Sequence, residues 1–377
     1  MATSLSIKSH FRKLRDPRRR HGREHRLLDI IVIAICAVIG GANSWRAIAL
    51  FGRTHRVWFQ RFLALPNGIP SYHTFARLFQ QLDPQTLQTS LRQWLLELSG
   101  VLKLSHIAID GKTLRGSAGA GLGPLHLVSA WATQYHLSLG QVAVDAKSNE
   151  ITAIPELLEL LELHGAVVSI DAMGCQKAIA EKIVQKGGDY VLAVKDNQEH
   201  LLEDVQQCVA QVLDQGVAGR DYQTYQQSER GHGREETRSY VVIPDPEGIR
   251  NHEAWPKLRV VGMCHCERTV RGETSSEVRY FIGSKRAGAR YYGRVLRDHW
   301  RIENNLHWQL DITFDEDSNS TIDRHAAENL AMLRRLALVL LKRQPDNDSL
   351  RNKRLRAGWD MEFLEEVLSP PVKSGKL

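Results

Sequence analysis

The sequence has few cysteines, no long apolar run, and too few acidic residues to balance its basic ones. Five cysteines at irregular spacing exclude the disulfide framework of a small secreted protein and favour a reducing cytoplasm. The longest uninterrupted apolar run covers residues 30–39, whereas a membrane-spanning helix needs ~20 residues. A secretory signal is disfavoured, because Asp29 borders this run and the basic stretch before it is long. We therefore expect a cytoplasmic protein without a membrane partner.

The composition is that of an ordinary globular protein with a basic excess. Hydrophobic residues make up 42% of the chain and charged residues 25%, which excludes a disordered or collagen-like chain. At one domain per ~150 residues, the 377 residues allow two or three domains. The 50 Lys and Arg exceed the 43 Asp and Glu, so the formal net charge is +7. This excess favours a polyanionic partner over a small-molecule substrate.

The basic residues are concentrated in three clusters. Residues 8–26 hold nine Lys and Arg, and we expect Arg18, Arg19 and Arg20 there to contact DNA. The second cluster is Lys285, Arg286, Arg290, Arg294, Arg297 and Arg301, and the third is Arg334, Arg335, Lys342, Arg343, Arg351, Lys353, Arg354 and Arg356. Separated clusters suit a long phosphate backbone, which they would bind by counterion release. A solvated basic arm with no partner is the alternative for the first cluster.

Hydrophobic periodicity divides the chain into segments. After the basic arm, 1–26, residues 27–101 read as helices, one of them beginning with Asp83 as N-cap and Pro84 at the first helical position. This region is either a DNA-binding module or a dimerisation or support domain. Residues 102–343 form the next segment. Its first part reads as β-β-β-α-β-α-β-α, and an inserted antiparallel patch of three or four strands follows at about 217–284. Further helices complete this segment. A basic extension, 344–377, completes the chain. We predict an α/β fold with a mixed sheet and flanking helices.

Three acidic residues stand out within this α/β region. Asp110 and Asp171 each end an apolar strand, and in open α/β sheets the ligand crevice lies at that end. Two neighbouring carboxylates repel each other unless a cation lies between them, and oxygen ligands suit Mg²⁺. Glu303 is the best-placed third acid, on a helix where His299 and His307 share its face. The competing explanation is that these acids merely cap neighbouring helices.

The second basic cluster has its own periodicity. Arg290, Arg294, Arg297 and Arg301 follow one another at intervals of four, three and four, which places them on one helix face. At about 100° per residue, that face lies roughly opposite Glu303. The stripe therefore contacts either flanking DNA or solvent.

Several sequence blocks carry a resemblance to a known family. They are AIDGKTLRGS (108–117), KSNEITAIPELL (147–158), DAMGCQ (171–176), LAVKDNQ (192–198), HGREETR (232–238) and HWRIENNLHWQLDITFDED (299–317). With the N-terminal stretch DPRRRHGREHRLLDIIVIAICAVIGGANSW, they make the chain from about Phe11 to Leu368 resemble the DDE transposases of bacterial insertion sequences. The resemblance is to the H-repeat-associated (ISAs-type) group.

The resemblance implies a ribonuclease-H-like core with a β-rich insertion before the last catalytic acid. It implies that Asp110, Asp171 and Glu303 are the catalytic residues and the ligands of Mg²⁺, for which Mn²⁺ can substitute. Two ions ~3.5–4 Å apart would make a nucleophile of water or a 3′-hydroxyl and stabilise the leaving oxygen. The reactions implied are hydrolysis at the element ends and transesterification into target DNA.

The sequence departs from the related transposases around the final acid. The Arg expected four residues before Glu303 is His299, and the Lys expected seven residues after it is Leu310. The candidates for contacting DNA near the acids are Lys112, Arg115, Lys195, Asn197, His232, Arg234, His299, Arg301, Asn304 and His307. For Lys195 and Asn197 ordinary loop polarity is the alternative, and for His232 and Arg234 the sequence does not decide between DNA and the active site.

The expected partner is double-stranded DNA, both as element ends and as target. Pairing of two ends implies a homo-oligomer on DNA and association with the nucleoid when the protein is active, with no small-molecule substrate. Two other functions fit the same residues. One is a catalytically inactive relic that only binds DNA, and the other is a stand-alone metal-dependent nuclease without joining activity.

Overall fold

The structure, a computed structural model, describes residues 7, 9–12, 14–99, 103–119, 121–144, 149–215, 221–231 and 233–369. The N-terminal helices are α1 (Leu27–Ile39), α2 (Trp45–Thr54), α3 (Arg56–Gln60), α4 (Tyr72–Gln81) and α5 (Pro84–Ser99). The predicted cap of α5 is confirmed, because Asp83 Oδ2 accepts a hydrogen bond of 2.8 Å from the Thr86 amide. Helix α1 is apolar on all sides and is buried along almost its whole length, as a helix in a protein core must be.

The sheet contains nine strands among the described residues. They are β1 (His106–Leu114), β2 (Leu125–Ala132), β3 (Leu137–Val144), β4 (Val167–Ile170), β5 (Asp189–Val194), β6 (Gln223–Gly231), β7 (Arg234–Pro244), β8 (Val260–Val270) and β9 (Glu273–Gly283). Their order is β3-β2-β1-β4-β5-β9-β8-β7-β6. Strands β4 and β5 run parallel to β1, and the other pairings are antiparallel.

The prediction of a ribonuclease-H-like mixed sheet with a β-rich insertion and an N-terminal helical region is confirmed. The insertion has four strands, and it continues the core sheet because β9 pairs with β5. It is therefore an extension of the same sheet. Strand β6 lies at the free edge, with β7 as its paired neighbour.

The remaining helices flank the sheet. They are α6 (Glu150–Glu159), α7 (Lys177–Gln185), α8 (Glu199–Gln215), α9 (Ala289–Ile302), α10 (Trp308–Ile312), α11 (Arg324–Lys342), α12 (Leu350–Trp359) and α13 (Met361–Leu368). A π-helical turn, Glu303–His307, lies between α9 and α10. Short 3₁₀ turns occur at Arg20–Gly22, Arg115–Ser117, Ala172–Gly174, Asp196–Gln198 and His252–Ala254. Helix α9 packs against β1 and β4 of the core and against β6 and β7 of the insertion. Within the described ranges, no helix combines the length and the hydropathy that crossing a bilayer demands.

The third basic cluster is largely interior, so the expectation that it forms part of a DNA-binding surface is wrong for half of its members. Arg334, Arg335, Lys353 and Arg354 are all buried. Arg335 pairs with the buried carboxylate of Glu316 at 3.2 Å. Because a buried cation needs partners, these side chains stabilise the fold through contacts inside the protein.

Arg354 links distant parts of the chain at one point. Its guanidinium donates hydrogen bonds to the carbonyl oxygens of Val38, Ala42 and Thr313 and to Asn43 Oδ1, at 2.6–3.3 Å. Burial lowers the pKa of Arg354 to about 9. Helix α12 is thereby joined both to the end of α1 and to the segment that follows α10.

A chain of buried polar side chains crosses the sheet to α9. Thr133 Oγ1 lies 3.0 Å from His106 Nδ1, and His106 Nε2 lies 2.7 Å from Ser169 Oγ. Ser169 Oγ in turn lies 2.9 Å from His299 Nδ1. Burial lowers the pKa of His106 to about 3 and that of His299 to about 4, so both imidazoles are neutral at physiological pH. These bonds fix the position of α9 relative to β1 and β4.

Replacing Arg354 with Met should lower the free energy of unfolding by about 2–4 kcal/mol, because several buried acceptors lose their donor. Urea denaturation at pH 7 measures this change. Arg351→Met is the matched control, since Arg351 is exposed on the same helix, and its change should stay within about 0.5 kcal/mol. Equal effects of the two substitutions would contradict the role assigned to Arg354.

The two buried histidines should make the protein less stable in acid. Their pKa values lie below the ordinary ~6.5, so the unfolded chain binds more protons than the folded one between about pH 6.5 and 4. The free energy of unfolding should therefore fall as the pH falls, by up to ~1.4 kcal/mol per pH unit for each histidine. In His106→Gln the slope measured by denaturation at pH 7, 6 and 5 should be shallower by that amount, and an unchanged slope would refute the assignment.

Candidate active site

The register of β1 and β4 places two of the predicted acids side by side. Ile109 is the parallel partner of Ile170, so Asp110 and Asp171 are the next residues on adjacent strands. Asp171 follows β4 directly, and its Oδ1 accepts a hydrogen bond of 3.4 Å from the Gly174 amide. The prediction that the first strand ends at Asp110 is wrong, because antiparallel pairing with β2 continues β1 to Leu114. Only the parallel pairing stops at Ile109.

Glu303 meets the two aspartates from the other side of a common cavity. All three acids line this cavity, which has a volume of about 310 Å³. Glu303 opens the π-helical turn between α9 and α10, and π turns of this kind often occur at functional sites. Lys342 Nζ donates a hydrogen bond of 2.7 Å to the carbonyl of Asn305 within the turn and so anchors it.

His307, at the end of the same turn, lies between two of the acids. Its Nδ1 is 3.6 Å from Asp110 Oδ2 and 3.5 Å from Glu303 Oε2. One ligand atom of each of these three residues lies within 4.8 Å of the others, and Asp171 lies outside this group while lining the same cavity. The His307 Nε2 atom is buried and has no hydrogen-bond partner among the described residues.

The electrostatics of the cavity favour a bound cation. The pKa of Asp110 is raised to about 7, mainly by burial and also by the negative charges of Glu303 and Asp171, against the opposing effect of His307. Burial, followed by the charge of Glu150, raises the pKa of Asp171. A hydrogen bond from His307 lowers the pKa of Glu303, which keeps this carboxylate ionised. Carboxylates gathered so closely, two of them with pKa values raised by burial, are typical of a divalent metal site, and the donor set fits one.

The structure brings some of the predicted DNA-contacting residues into or beside this cavity. Lys195 lines it, and Asn197 Nδ2 donates a hydrogen bond of 2.7 Å to the carbonyl of Ala172, next to Asp171. His299 also lines it but is buried and hydrogen-bonded to Ser169. Lys112 is buried and pairs with Asp311 at 2.8 Å and Asp317 at 3.3 Å.

The other predicted residues lie farther out. The exposed members are Arg19, Arg20, Arg115, Arg301 and Asn304, and Arg234 is partly exposed at the start of β7. Arg18 is buried, because its guanidinium pairs with Asp16 at 2.8 Å and donates to the carbonyl of His25. His232 lies outside the described residues.

Sequence reasoning missed a second polar group beside the acids. Glu150, the first residue of α6, lies 2.7 Å from His126 Nε2, and His126 Nδ1 lies 2.8 Å from Thr113 Oγ1. This pair approaches β1 so closely that a Cβ on Gly111 would be 2.2 Å from Glu150 Oε1. Any larger residue next to Asp110 would therefore displace the Glu150 and His126 side chains. Glu150 belongs to one of the blocks that carry the family resemblance, but nothing in its local pattern indicates chemistry.

Arg279 is the other residue that the sequence did not indicate. It lines the cavity from β9, and its guanidinium lies 4.5 Å from the centroid of the Trp300 ring. Its Nε and Nη2 atoms each donate a hydrogen bond of 2.7 Å to the carboxylate of Glu277, so the ion pair and the aromatic face together hold the guanidinium in place. Arg279 comes from the insertion, so the insertion contributes directly to the cavity that holds the acids.

Comparison with known proteins gives the same family from the sequence as a whole. Residues 8–95 match the family described as DDE_Tnp_1-associated, and residues 102–340 match the Transposase DDE domain. The H repeat-associated protein YhhI of Escherichia coli K12 is 36% identical over 92% of this chain and 93% of its own length. A Xanthobacter autotrophicus protein encoded in the dhlA 3′ region is 42% identical over 74% of this chain and 95% of its own length.

Two further similarities are more distant or more partial. The inactive transposase YbfQ of Escherichia coli K12 is 44% identical over only 15% of this chain and 68% of its own length. A piggyBac transposase solved as a synaptic complex with hairpin DNA aligns with a TM-score of 0.40 and 11% identity, over 98% of this chain and 79% of its own. The domain matches and the relatives that extend over most of the chain show that it belongs to the H-repeat-associated (ISAs-type) group of DDE transposases.

Proposed function

We propose that this DNA transposase is catalytically active and that Asp110, Asp171 and Glu303 are its catalytic residues. The observation that carries the proposal is that the three acids line one cavity although burial and nearby negative charge raise the pKa of both aspartates and so cost free energy. A relic with no reaction to perform would have no reason to keep that cost. The proposed reactions are phosphodiester hydrolysis at the element ends and strand transfer into target DNA.

The three carboxylates would hold divalent metal ions, with Mg²⁺ as the expected metal. When bound, such ions would activate water or a 3′-hydroxyl as the nucleophile and stabilise the leaving 3′-oxygen. We also propose His307 as a ligand, because its Nδ1 faces the carboxylates of both Asp110 and Glu303. Since an imidazole donor suits Mn²⁺ better than Mg²⁺, Mn²⁺ should substitute readily.

The chain's own cations would position the DNA. Lys195 and Arg279 line the cavity together with the acids, where they would contact the oxygens of the phosphate to be cut. Glu303 has a side chain that is 68% exposed, whereas that of Asp110 is 17% exposed. Glu303 would therefore meet an incoming DNA strand first, with the aspartates forming the floor of the site. Lys195 and Arg279 would take over the phosphate contacts that the family's missing Arg and Lys would make.

A stand-alone nuclease is the main competing function. It would share the acids and the cleavage step but would produce no joined products on a supercoiled target. The similarity to transposases over both matched regions favours strand transfer. Because an element has two ends to be paired, we propose at least a dimer of this chain on DNA.

Asp110→Asn should abolish strand cleavage and leave DNA binding largely unchanged. Loss of one carboxylate removes several kcal/mol of charge stabilisation, which corresponds to a decrease in rate of at least about a thousandfold. The measurement is cleavage of a duplex that carries the inverted repeats flanking the gene, with binding followed by gel shift. Asp196→Asn is the matched control, because this exposed aspartate lies near the cavity without lining it. Full cleavage by Asp110→Asn would reject the assignment.

Divalent metal should stabilise the protein in a pH-dependent way. The pKa of Asp110 is raised to about 7, so the folded protein loses stability as the pH rises from about 4 to 7 and the carboxyl ionises against its neighbours. At pH 8 Mn²⁺ at a hundredfold excess over its dissociation constant should add about 2.7 kcal/mol, detectable as a raised Tm. The rise should be smaller at pH 6 and smaller in both Asp110→Asn and His307→Gln. If Mn²⁺ raises the Tm of His307→Gln as much as that of the wild type, His307 is not a ligand of the metal.

A further inference from the structure

The side of α9 that faces away from the acids carries a second cavity. Four arginines line it, namely Arg290, Arg294, Arg297 and Arg301. Opposite them lie Tyr225 and Gln227 of the edge strand β6, and the cavity has a volume of about 480 Å³. We call this surface the arginine face. It is built by α9 together with the insertion and shares no lining residue with the cavity of the acids.

Two of the four arginines pair with carboxylates, and the other two have no carboxylate partner among the described residues. Arg297 pairs with Glu229 of β6 at 2.7 Å, and Arg301 pairs with Asp298 at 3.0 Å. Arg290 and Arg294 are exposed, and no carboxylate within ion-pair distance of either occurs among the described residues. The Arg294 guanidinium lies 5.8 Å from the centroid of the Tyr291 ring. The arginine face therefore has two cationic groups whose charge the protein leaves uncompensated.

The dimensions of the arginine face suit a polymer better than a small anion. At 1.5 Å per residue, the eleven steps from Arg290 to Arg301 extend about 16 Å along α9. One DNA strand places a phosphate every ~3.4 Å of helix axis, so about five phosphates correspond to this length. A single phosphate or carboxylate would reach only one or two of the arginines.

The opposite side of α9 is fixed against the catalytic core. His299 is buried and bonded to Ser169 of β4, and Glu303 follows the helix directly. A ligand bound to the arginine face is therefore held at a fixed distance from the acids through one rigid helix. Arginine contacts to phosphates set position and carry no base sequence, which suits a surface beside a cleavage site.

We propose that the arginine face binds the sugar–phosphate backbone of duplex DNA that flanks the strand held at the acids. This inference rests on the proposed function and adds a second contact to it. Arg290 and Arg294 provide the charge, and Arg297 is held in place by Glu229. Tyr225 and Gln227 add hydrogen-bond donors at the edge of the sheet. The insertion thereby forms part of the DNA-binding surface.

The test is the salt dependence of binding to a random-sequence 40-base-pair duplex by the double variant Arg290→Ala/Arg294→Ala. Loss of two phosphate contacts should reduce the slope of log K against log salt by about 1.8. Wild-type affinity should consequently fall about twelvefold more than that of the variant between 50 and 200 mM salt. Arg259→Ala/Arg268→Ala is the matched control, because it removes the same charge from two exposed arginines that each pair with a carboxylate of the insertion.

The outcomes separate this inference from the proposed function. A reduced slope in Arg290→Ala/Arg294→Ala and a wild-type slope in the control support the inference. Unchanged slopes in both variants, or equal reductions in both, overturn it, since net charge alone would then explain the result. Thermal melting confirms that each variant is folded. Cleavage by Asp110→Asn tests the acids independently, so failure of one proposal leaves the other standing.

Discussion

The parallel pairing of β1 with β4 is the constraint on which the site depends. It holds Asp110 beside Asp171 where the parallel pairing of these two central strands ends, and there burial and negative charge both oppose ionisation of the aspartates. This arrangement costs free energy of folding, and the burial of a large apolar core around it offsets that cost. The polar chain through His106 and Ser169 then fixes α9, and with it the turn that carries Glu303, against the same two strands.

Helix α9 joins two surfaces with different roles. One side faces the core and leads into the cavity of the acids, while the other carries arginines along the insertion. The insertion also reaches the acids through Arg279. Under the proposed function the four added strands would take part in binding DNA, and their continuity with the core sheet through β9 keeps the two surfaces in a fixed relation.

Much of this could be predicted from the sequence, because apolar periodicity and strand-end acids report local structure directly. The helical character of the N-terminal region, the cap at Asp83 and the choice of the three acids follow from such patterns. The pairing of Lys112 with Asp311, and the burial of Arg334 and Arg335, could not be predicted. When burial is unknown, basic residues are predicted to lie on the surface. Their acidic partners come from segments that are remote in the sequence and meet them only through tertiary contacts. Glu150 was missed for the same reason, since its importance comes from where α6 places it.

The contact of Arg354 with α1 has a consequence for biosynthesis. The guanidinium that closes the gap between the end of α1 and Thr313 belongs to α12, near the end of the chain. Until the ribosome has translated α12, helix α1 and the segment that follows α10 lack the Arg354 side chain that joins them. Completion of this part of the core is thus deferred until α12 has emerged, and a product of premature termination upstream of codon 354 would lack this closure.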